Sequence, residues 1–264
     1  MRILHFSDIH LGHWPVGFDW LFDKRLIGAL NYRLTRRGSQ DFGTLDRLPD
    51  VVESLGIEAV VCTGDLGSIG SPKEFSVVSS SFGWLHDRFG ERFMFVPGNH
   101  DYYTHLSVAD LDGFCRRLNG FGLSSFPHER WFGDDHFILV NGSRPQGLFH
   151  SGGKLSSAQL MRLKVIIERP RREGERRIFV CHFPVYSPRG RGLGWPRRIS
   201  CENQFREWCE SGKIDIYLCG HLHKAYRYGK PGVFEQLCSG SLTMHGSAIV
   251  LDTGKETSSR IIKI

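Results

Sequence analysis

Arg2-Ile3-Leu4-His5-Phe6-Ser7-Asp8-Ile9-His10 decides how the rest of the chain is read. An apolar run of strand length ends in a carboxylate and an imidazole two residues apart, and strand residues at i and i+2 face the same side. The pattern recurs four times. Ala59-Val60-Val61-Cys62 leads to Gly64-Asp65, and Phe93-Met94-Phe95-Val96 leads to Gly98-Asn99-His100-Asp101. Ile178-Phe179-Val180-Cys181 leads to His182, and Ile216-Tyr217-Leu218-Cys219 to Gly220-His221-Leu222-His223. Five strands ending in Asp, Asn or His deliver those groups to one rim of a sheet, where α/β folds carry their sites. Each motif alone is weak, because Gly-Asp is usually a turn and a lone His after a strand is usually structural. Their ordered combination carries the inference.

The residue types suit divalent cations. Asp8 and His10 offer one oxygen and one nitrogen to a single ion, and the two oxygens of Asp65 can bridge two ions. Asn99 adds a neutral amide oxygen, while His182, His221 and His223 add imidazole nitrogens. Mixed nitrogen and oxygen donors without thiolate favour two divalent ions of borderline character, manganese first, with iron or zinc as alternatives, over calcium or copper(I). Two such ions about 3.5–4 Å apart would make water nucleophilic near neutral pH and clamp the oxygens of a phosphoryl group. His100 is placed to donate a proton to the leaving group, and Asp101 is expected to orient its imidazole.

The ordered set resembles the calcineurin-like metallophosphoesterase superfamily over nearly the whole chain. The resemblance implies an α/β fold, a four-layer α-β-β-α sandwich of two mixed β-sheets flanked by helices. It implies that Asp8, His10, Asp65 and His223 hold one metal, that Asp65, Asn99, His182 and His221 hold the other, and that His100 and Asp101 form the catalytic dyad. Ser/Thr protein phosphatases continue the second motif into Val-Asp-Arg-Gly and carry Glu after Asn-His. This chain has Gly64-Asp65-Leu66-Gly67 and Asn99-His100-Asp101, which is more similar to cyclic-nucleotide phosphodiesterases and nucleotide-pyrophosphate hydrolases.

With 264 residues, 40% of them hydrophobic, the chain can fill one substantial core, and a single domain over 1–264 is expected. The first strand starts at Arg2 and no apolar run reaches membrane-spanning length, which leads to the expectation of a protein without a signal peptide. Seven cysteines with no Cys-x-x-Cys pair fit a reducing, cytoplasmic setting. Cys62, Cys181 and Cys219 read as small buried residues at crowded strand ends.

The net charge is +6, and its excess is clustered. Arg169, Arg171, Arg172, Arg176 and Arg177 precede His182; Arg189, Arg191, Arg197 and Arg198 follow it in a Gly/Pro-rich loop expected to be mobile. A third group, Lys24, Arg25, Arg33, Arg36 and Arg37, lies near the N-terminus. Beside a phosphoesterase centre such clusters would steer an anionic phosphodiester, a nucleotide-lipid or an anionic membrane surface. Arg189, Arg191, Arg197 and Arg198 are therefore candidate substrate contacts.

Asp8 and Asp65 are 57 positions apart, whereas a β-α-β passage needs on the order of 30 residues. The surplus is a hydrophobic and basic insertion at about 13–37, with Trp14, Phe18, Trp20 and Phe22 before an amphipathic segment. It reads either as an extra packed helix or as an apolar lid for acyl chains, with Trp14 and Phe22 as candidate substrate contacts. Phe22-Asp23-Lys24-Arg25-Leu26-Ile27-Gly28-Ala29-Leu30-Asn31-Tyr32, together with Leu48-Pro49 and Cys62-Thr63-Gly64-Asp65, resembles bacterial metallophosphoesterases of lipid A synthesis, nearest to the chlamydial type. The resemblance implies hydrolysis of UDP-diacylglucosamine to lipid phosphate and UMP, at the cytoplasmic face of an inner membrane. The enterobacterial enzyme has Arg in place of His100. The competing readings are a cyclic-nucleotide phosphodiesterase, a nuclease and a scaffold without activity; no stable nucleic-acid partner is expected.

The remaining elements follow from periodicity and caps. Helices are predicted over 45–55, from Ser71-Pro72 to 89, over 107–119, from an N-cap at Ser156 to 168, and over 202–211. A strand is predicted over 137–141, and a meander over 225–228, 233–238, 247–251 and 260–264. Ser239-Gly240-Ser241 resembles the family's small-residue turn that approaches the metals.

Overall fold

The computed structural model of this chain describes residues 1–12, 40–145, 147 and 150–264. The insertion at 13–37, and with it Trp14 and Phe22, lies outside the described residues. The strands are β1 (Arg2–Phe6), β2 (Ala59–Cys62), β3 (Phe93–Phe95), β4 (His128–Phe132), β5 (Asp135–Val140), β6 (Arg176–Cys181), β7 (Ile216–Cys219), β8 (Tyr226–Lys230), β9 (Phe234–Cys238), β10 (Ser247–Thr253) and β11 (Thr257–Lys263). The described helices are α1 (Gly43–Ser54), α2 (Pro72–Phe89), α3 (Val108–Asn119), α4 (Ser157–Glu168), α5 (Glu202–Glu210) and the single turn α6 (Leu242–His245).

The five motif-bearing strands divide between two mixed sheets. One has the order β11-β10-β1-β2-β3, the other β4-β5-β6-β7-β9-β8. β1, β2 and β3 run parallel, as do β5, β6, β7 and β9, so both sheets present their C-terminal strand ends to the same rim. Side-chain alternation builds the layers. Phe137, Leu139, Ile178, Val180, Ile216 and Leu218 point into the core shared with the first sheet. Their neighbours Ile138, Val140, Phe179, Cys181, Tyr217 and Cys219 point the other way, into a second core beneath α4 and α5. Helices α1, α2 and α3 cover the first sheet through Leu48, Val52, Phe82, Leu85 and Leu118. The result is the expected pair of mixed sheets flanked by helices.

Local chemistry sets the helix starts. Ser71 accepts from the Glu74 amide while Glu74 accepts from the Ser71 amide, a capping box with Pro72 in the first turn. Ser156 accepts from the Gln159 amide and opens α4.

Two readings of the sequence need correction. The four segments after His223 do not form one meander. β8 and β9 pair as a hairpin on the second sheet, whereas β10 and β11 pair on the first. The crossing at 239–246 passes under the loop after β1, where the Ser241 and Thr243 hydroxyls donate to the carbonyls of Asp8 and Ile9. The other difference is β4, which pairs with β5 through a turn at Gly133-Asp134, with Gly133 at a φ of +60°. Its charged, half-buried residues hide the strand periodicity, but Phe-Gly-Asp-Asp was a readable hairpin signal.

The seven cysteines are free, and all but Cys201 are buried. The arginines before His182 are held by acidic side chains or an aromatic ring. Arg169 pairs with Glu129 at 2.5 Å, Arg171 with Asp215 at 2.7 Å, Arg176 with Asp135 at 2.6 Å and Arg177 with Glu175 at 2.6 Å. The Arg172 guanidinium lies 4.0 Å above the Trp131 ring. This cluster fastens β4, β5, β6 and the start of β7 to one another, with Arg176 and Arg177 at the opposite end of β6 from His182.

Burial opposes ionisation of Glu175, but the Arg177 guanidinium, the Arg172 amide and the His136 ring outweigh it and lower its pKa from 4.5 to about 2. A carboxylate with a depressed native pKa adds stability above its unfolded value and loses it as the pH falls through the native one. We therefore expect a loss of about 3 kcal/mol between roughly pH 4.5 and 2 from this group. Urea unfolding across that window should show a flatter pH dependence for Glu175→Gln than for the wild type.

Candidate metal centre

The chain brings all seven proposed ligands together where the ends of the two sheets meet. Asp8, His10, Asp65 and His223 each place one ligand atom within 4.8 Å of the others. His10 Nε2 is 3.0 Å from His223 Nε2, and His223 Nε2 is 3.5 Å from Asp8 Oδ1. Asn99 gathers the second group. Its Oδ1 lies 3.2 Å from His182 Nε2 and 2.9 Å from His221 Nδ1. Asp65 Oδ2 lies 3.4 Å from His182 Nε2 and 3.8 Å from His10 Nε2, so this carboxylate sits between the two groups.

The backbone reaches this arrangement through left-handed residues beyond the strand ends and not through strand alternation. β1 ends at Phe6, and Asp8 and His10 follow it in left-handed conformations with φ of 55° and 51°. Asp65, His221 and His223 are left-handed as well, with φ of 54°, 73° and 56°. These five are the non-glycine residues of positive φ among the described residues, and every one is a proposed ligand. Each costs about 1–2 kcal/mol. Such strain persists only where surrounding bonds over-determine it, and it concentrates at functional sites. Asp8 and His10 thus converge because two left-handed residues curl the loop inward.

Several buried bonds hold these loops. The amides of Asp8, Ile9 and Leu11 donate to the carbonyls of Gly64, Asp65 and Leu66. Gly64 must be glycine: its φ is +85°, and a Cβ there would sit 2.2 Å from the Gly98 nitrogen. The Thr63 carbonyl accepts from His182 Nδ1 at 2.6 Å, which turns Nε2 of that ring toward Asn99 and Asp65.

Asp101 plays a different part from the one expected. Its Oδ2 accepts from the amides of Asp65 (2.7 Å) and Gly98 (2.8 Å), and its Oδ1 from those of Leu66 (2.8 Å) and Gly67 (3.1 Å). Four amides engage both carboxylate oxygens of this fully buried side chain. It ties the loop after β2 to the loop after β3. His100 is oriented instead by the Ser68 carbonyl, 2.6 Å from its Nδ1. Tyr103 stacks on the same ring at 5.3 Å, and His10 meets it edge-on at 4.8 Å. Ser68 and Tyr103 were not singled out from the sequence, since neither a backbone carbonyl nor a buried tyrosine carries a motif.

The electrostatics suit cations. Burial pushes the Asp8 carboxyl up to about 7. Burial also opposes the Asp65 charge, yet His182, His100 and His10 hold that carboxyl well below its usual range. Burial disfavours a proton on His182, but Asp65 and Asp8 outweigh it and raise its pKa to about 9. Burial keeps His221 neutral. Among the described residues Asp8 Oδ1 and His221 Nε2 have no hydrogen-bond partner. Two imidazole nitrogens face each other, and a buried carboxylate oxygen lacks a donor. That donor set fits divalent cations of borderline character, which would satisfy these groups together.

The candidate substrate arginines sit apart from the ligands. Arg189, Arg191, Arg197 and Arg198 are exposed. Their loop is less free than expected. Pro184, Val185 and Tyr186 are buried, and Gln236 accepts from the amides of Val185 and Tyr186 while donating to the Tyr186 carbonyl. The segment returns to the core at Ile199, and Trp195 between these anchors is 70% exposed, with its ring 5.2 Å from His150. No contact between these arginines and the proposed ligands occurs among the described residues.

A family model described as calcineurin-like phosphoesterase matches residues 1–225. No curated protein matches the sequence. Among solved structures, a dimetal phosphatase of Danio rerio has a TM-score of 0.65 at 14% identity, covering 99% of this chain and 98% of that one. A protein of Thermus thermophilus has a TM-score of 0.58 at 14% identity, covering 98% and 97%. A purple acid phosphatase of yellow lupin has a TM-score of 0.56 at 15% identity and covers 99% of this chain and 51% of its own. At these identities the likeness is one of fold.

If Asp101 clamps two loops, Asp101→Asn places an N–H group against amide donors. We expect a loss of about 2–4 kcal/mol in urea unfolding, together with weakened metal uptake. A residue that only oriented the His100 ring would lower turnover and leave metal uptake as in the wild type.

Proposed function

This chain belongs to the calcineurin-like phosphoesterase family and is a hydrolase of that family, and from that premise we propose that it cleaves a phosphodiester or pyrophosphate bond with two divalent cations. The observation that carries this reading is the coincidence of backbone strain with ligand chemistry: all five left-handed non-glycine residues among those described are proposed ligands. Asp8, His10, Asp65 and His223 would hold one cation, and Asp65, Asn99, His182 and His221 the other. The cations would supply Lewis acidity toward water and phosphoryl oxygens. Manganese is the first candidate, with iron and zinc as alternatives.

The remaining chemistry belongs to the chain itself. His100, held by the Ser68 carbonyl and Tyr103, donates a proton to the leaving oxygen. Asp101 holds the loops that carry Asp65, Asn99 and His100. Arg189, Arg191, Arg197 and Arg198 form no ion pair among the described residues and offer their charge to an anionic substrate or an anionic bilayer surface. The exposed Trp195 adds an apolar tip suited to the same amphiphilic partner. Among the described residues no helix is long and apolar enough to cross a membrane.

For the substrate, we infer UDP-diacylglucosamine, cleaved to lipid phosphate and UMP at the cytoplasmic face of a membrane. Support comes from the sequence resemblance at 22–32 and from the joint presence of unpaired arginines and an exposed tryptophan in one loop. Cyclic-nucleotide hydrolysis is the second reading, favoured by the Asn99-His100-Asp101 variant. Manganese-dependent UMP release from UDP-diacylglucosamine, abolished by Asn99→Ala, is the expected result. Turnover of cyclic AMP without UMP release would replace the lipid reading by the second one.

The arginines give an independent check. Arg197→Ala combined with Arg198→Ala should raise KM for the anionic substrate about ten-fold or more, without changing metal content or melting temperature. A loss of bound metal in that variant would make the loop structural.

A further inference from the structure

We propose that Glu74, in the first turn of α2, is a positioning residue for His100, acting through one peptide unit. The inference rests on the reading of His100 as the group that protonates the leaving oxygen. His100 Nδ1 lies 2.6 Å from the Ser68 carbonyl. A carbonyl only accepts, so Nδ1 carries a proton in the neutral ring and in the imidazolium alike. The proton given to the leaving group is the one the imidazolium holds on Nε2, which leaves the neutral Nδ1–H ring behind. The Ser68 carbonyl thus fixes which nitrogen of the ring faces the site.

That carbonyl belongs to the Ser68-Ile69 peptide, whose N–H is the Ile69 amide. Glu74 Oε2 accepts from this amide at 3.0 Å and from the Ser71 amide at 3.1 Å. A trans peptide is planar, with C=O and N–H pointing in opposite directions. Holding the Ile69 N–H therefore aims the Ser68 C=O at His100. Ser68 lies between β2 and α2, outside regular structure, so its peptide has no ladder to hold it. The Ser68 hydroxyl bonds the His10 carbonyl at 3.2 Å, and Asp101 holds the three preceding amides. Glu74 is what grips the far side of the peptide that touches the ring.

Helix capping alone does not account for this residue. A capping box needs the side chain to reach the Ser71 amide, and Gln serves that purpose as well as Glu. Here a fully buried carboxylate takes a second amide outside the cap. A charged acceptor shared by two amides strengthens both bonds and makes the turn stiffer than capping requires.

The test compares Glu74→Ala, Glu74→Gln and Ser71→Ala. Ser71→Ala removes the other half of the cap without touching the Ile69 peptide, so it serves as the measure of a purely structural role. Two readouts apply: the ¹⁵N shifts of the His100 ring in the metal-free protein, and the rate ratio between a p-nitrophenyl phosphodiester and an alkyl one. The p-nitrophenolate departs without a proton, and the alkoxide needs one.

In the wild type and Ser71→Ala the ring should be a single Nδ1–H tautomer with one common rate ratio. In Glu74→Ala the tautomers should mix and the alkyl ester should slow by about ten-fold or more relative to the aryl ester. Glu74→Gln should fall between them, and it keeps the test open should the alanine variant fail to fold. An unchanged tautomer in both Glu74 variants, or equal mixing in Ser71→Ala, overturns the proposal whatever the rates. A tautomer that mixes while the rate ratio stays constant upholds the positioning by Glu74 and instead removes His100 from the role of proton donor.

Discussion

Four backbone amides converging on the Asp101 carboxylate are the constraint on which this site depends. Two of the loops that carry ligands start from different strands, and neither is held by regular structure at its tip. Asp101 joins them with both oxygens, in a fully buried position where a carboxylate without donors would be costly. Gly64 and Gly98 make the contact close enough, since a Cβ at either would collide with the opposite loop. With the two loops joined, Asp65 comes to lie between the two groups of histidines, and Asn99 comes to face His182 and His221.

The same region stores the strain of the fold. Five ligands hold left-handed backbones, and their side chains place like donors face to face. A chain selected only for stability would have glycine or asparagine at such positions. The surrounding bonds offset the cost: the loop after β1 is tied to the loop after β2 by successive amides, and from below by the hydroxyls of Ser241 and Thr243. The crossing of the chain from the second sheet to the first is thus also the floor of the site. Stability and function are joined here, because the bonds that keep the ligands in place also tie the crossing between the sheets to the loop after β1.

Charge is divided between architecture and recognition. The arginines before His182 are absorbed by Glu129, Glu175, Asp135 and Asp215 and by the face of Trp131, so they fasten strands. Those after His182 lie on a loop whose two ends are anchored in the core and whose tip carries the unpaired cations and Trp195. Both groups look alike as sequence. They differ because Glu129, Asp135 and Asp215, all distant in the chain, are brought beside the first and not the second.

Much of this was legible in the residues. Apolar runs of four to six residues closed by Asp, Asn or His specify both the strands and the chemical type of the site, since side-chain periodicity and donor character are local properties. Ser71-Pro72 and Ser156 announce their helices because capping involves neighbours within one turn. Three-dimensional structure alone decided the division of the strands between two sheets, the split of the last four strands into two hairpins, and the pairing of the basic cluster. It also decided that Asp101 clamps loops while a backbone carbonyl orients His100. These outcomes depend on which groups meet once distant segments come together: side-chain partners for the basic cluster, and for the rest backbone amides and carbonyls, which are identical at every position and so are marked by no residue type.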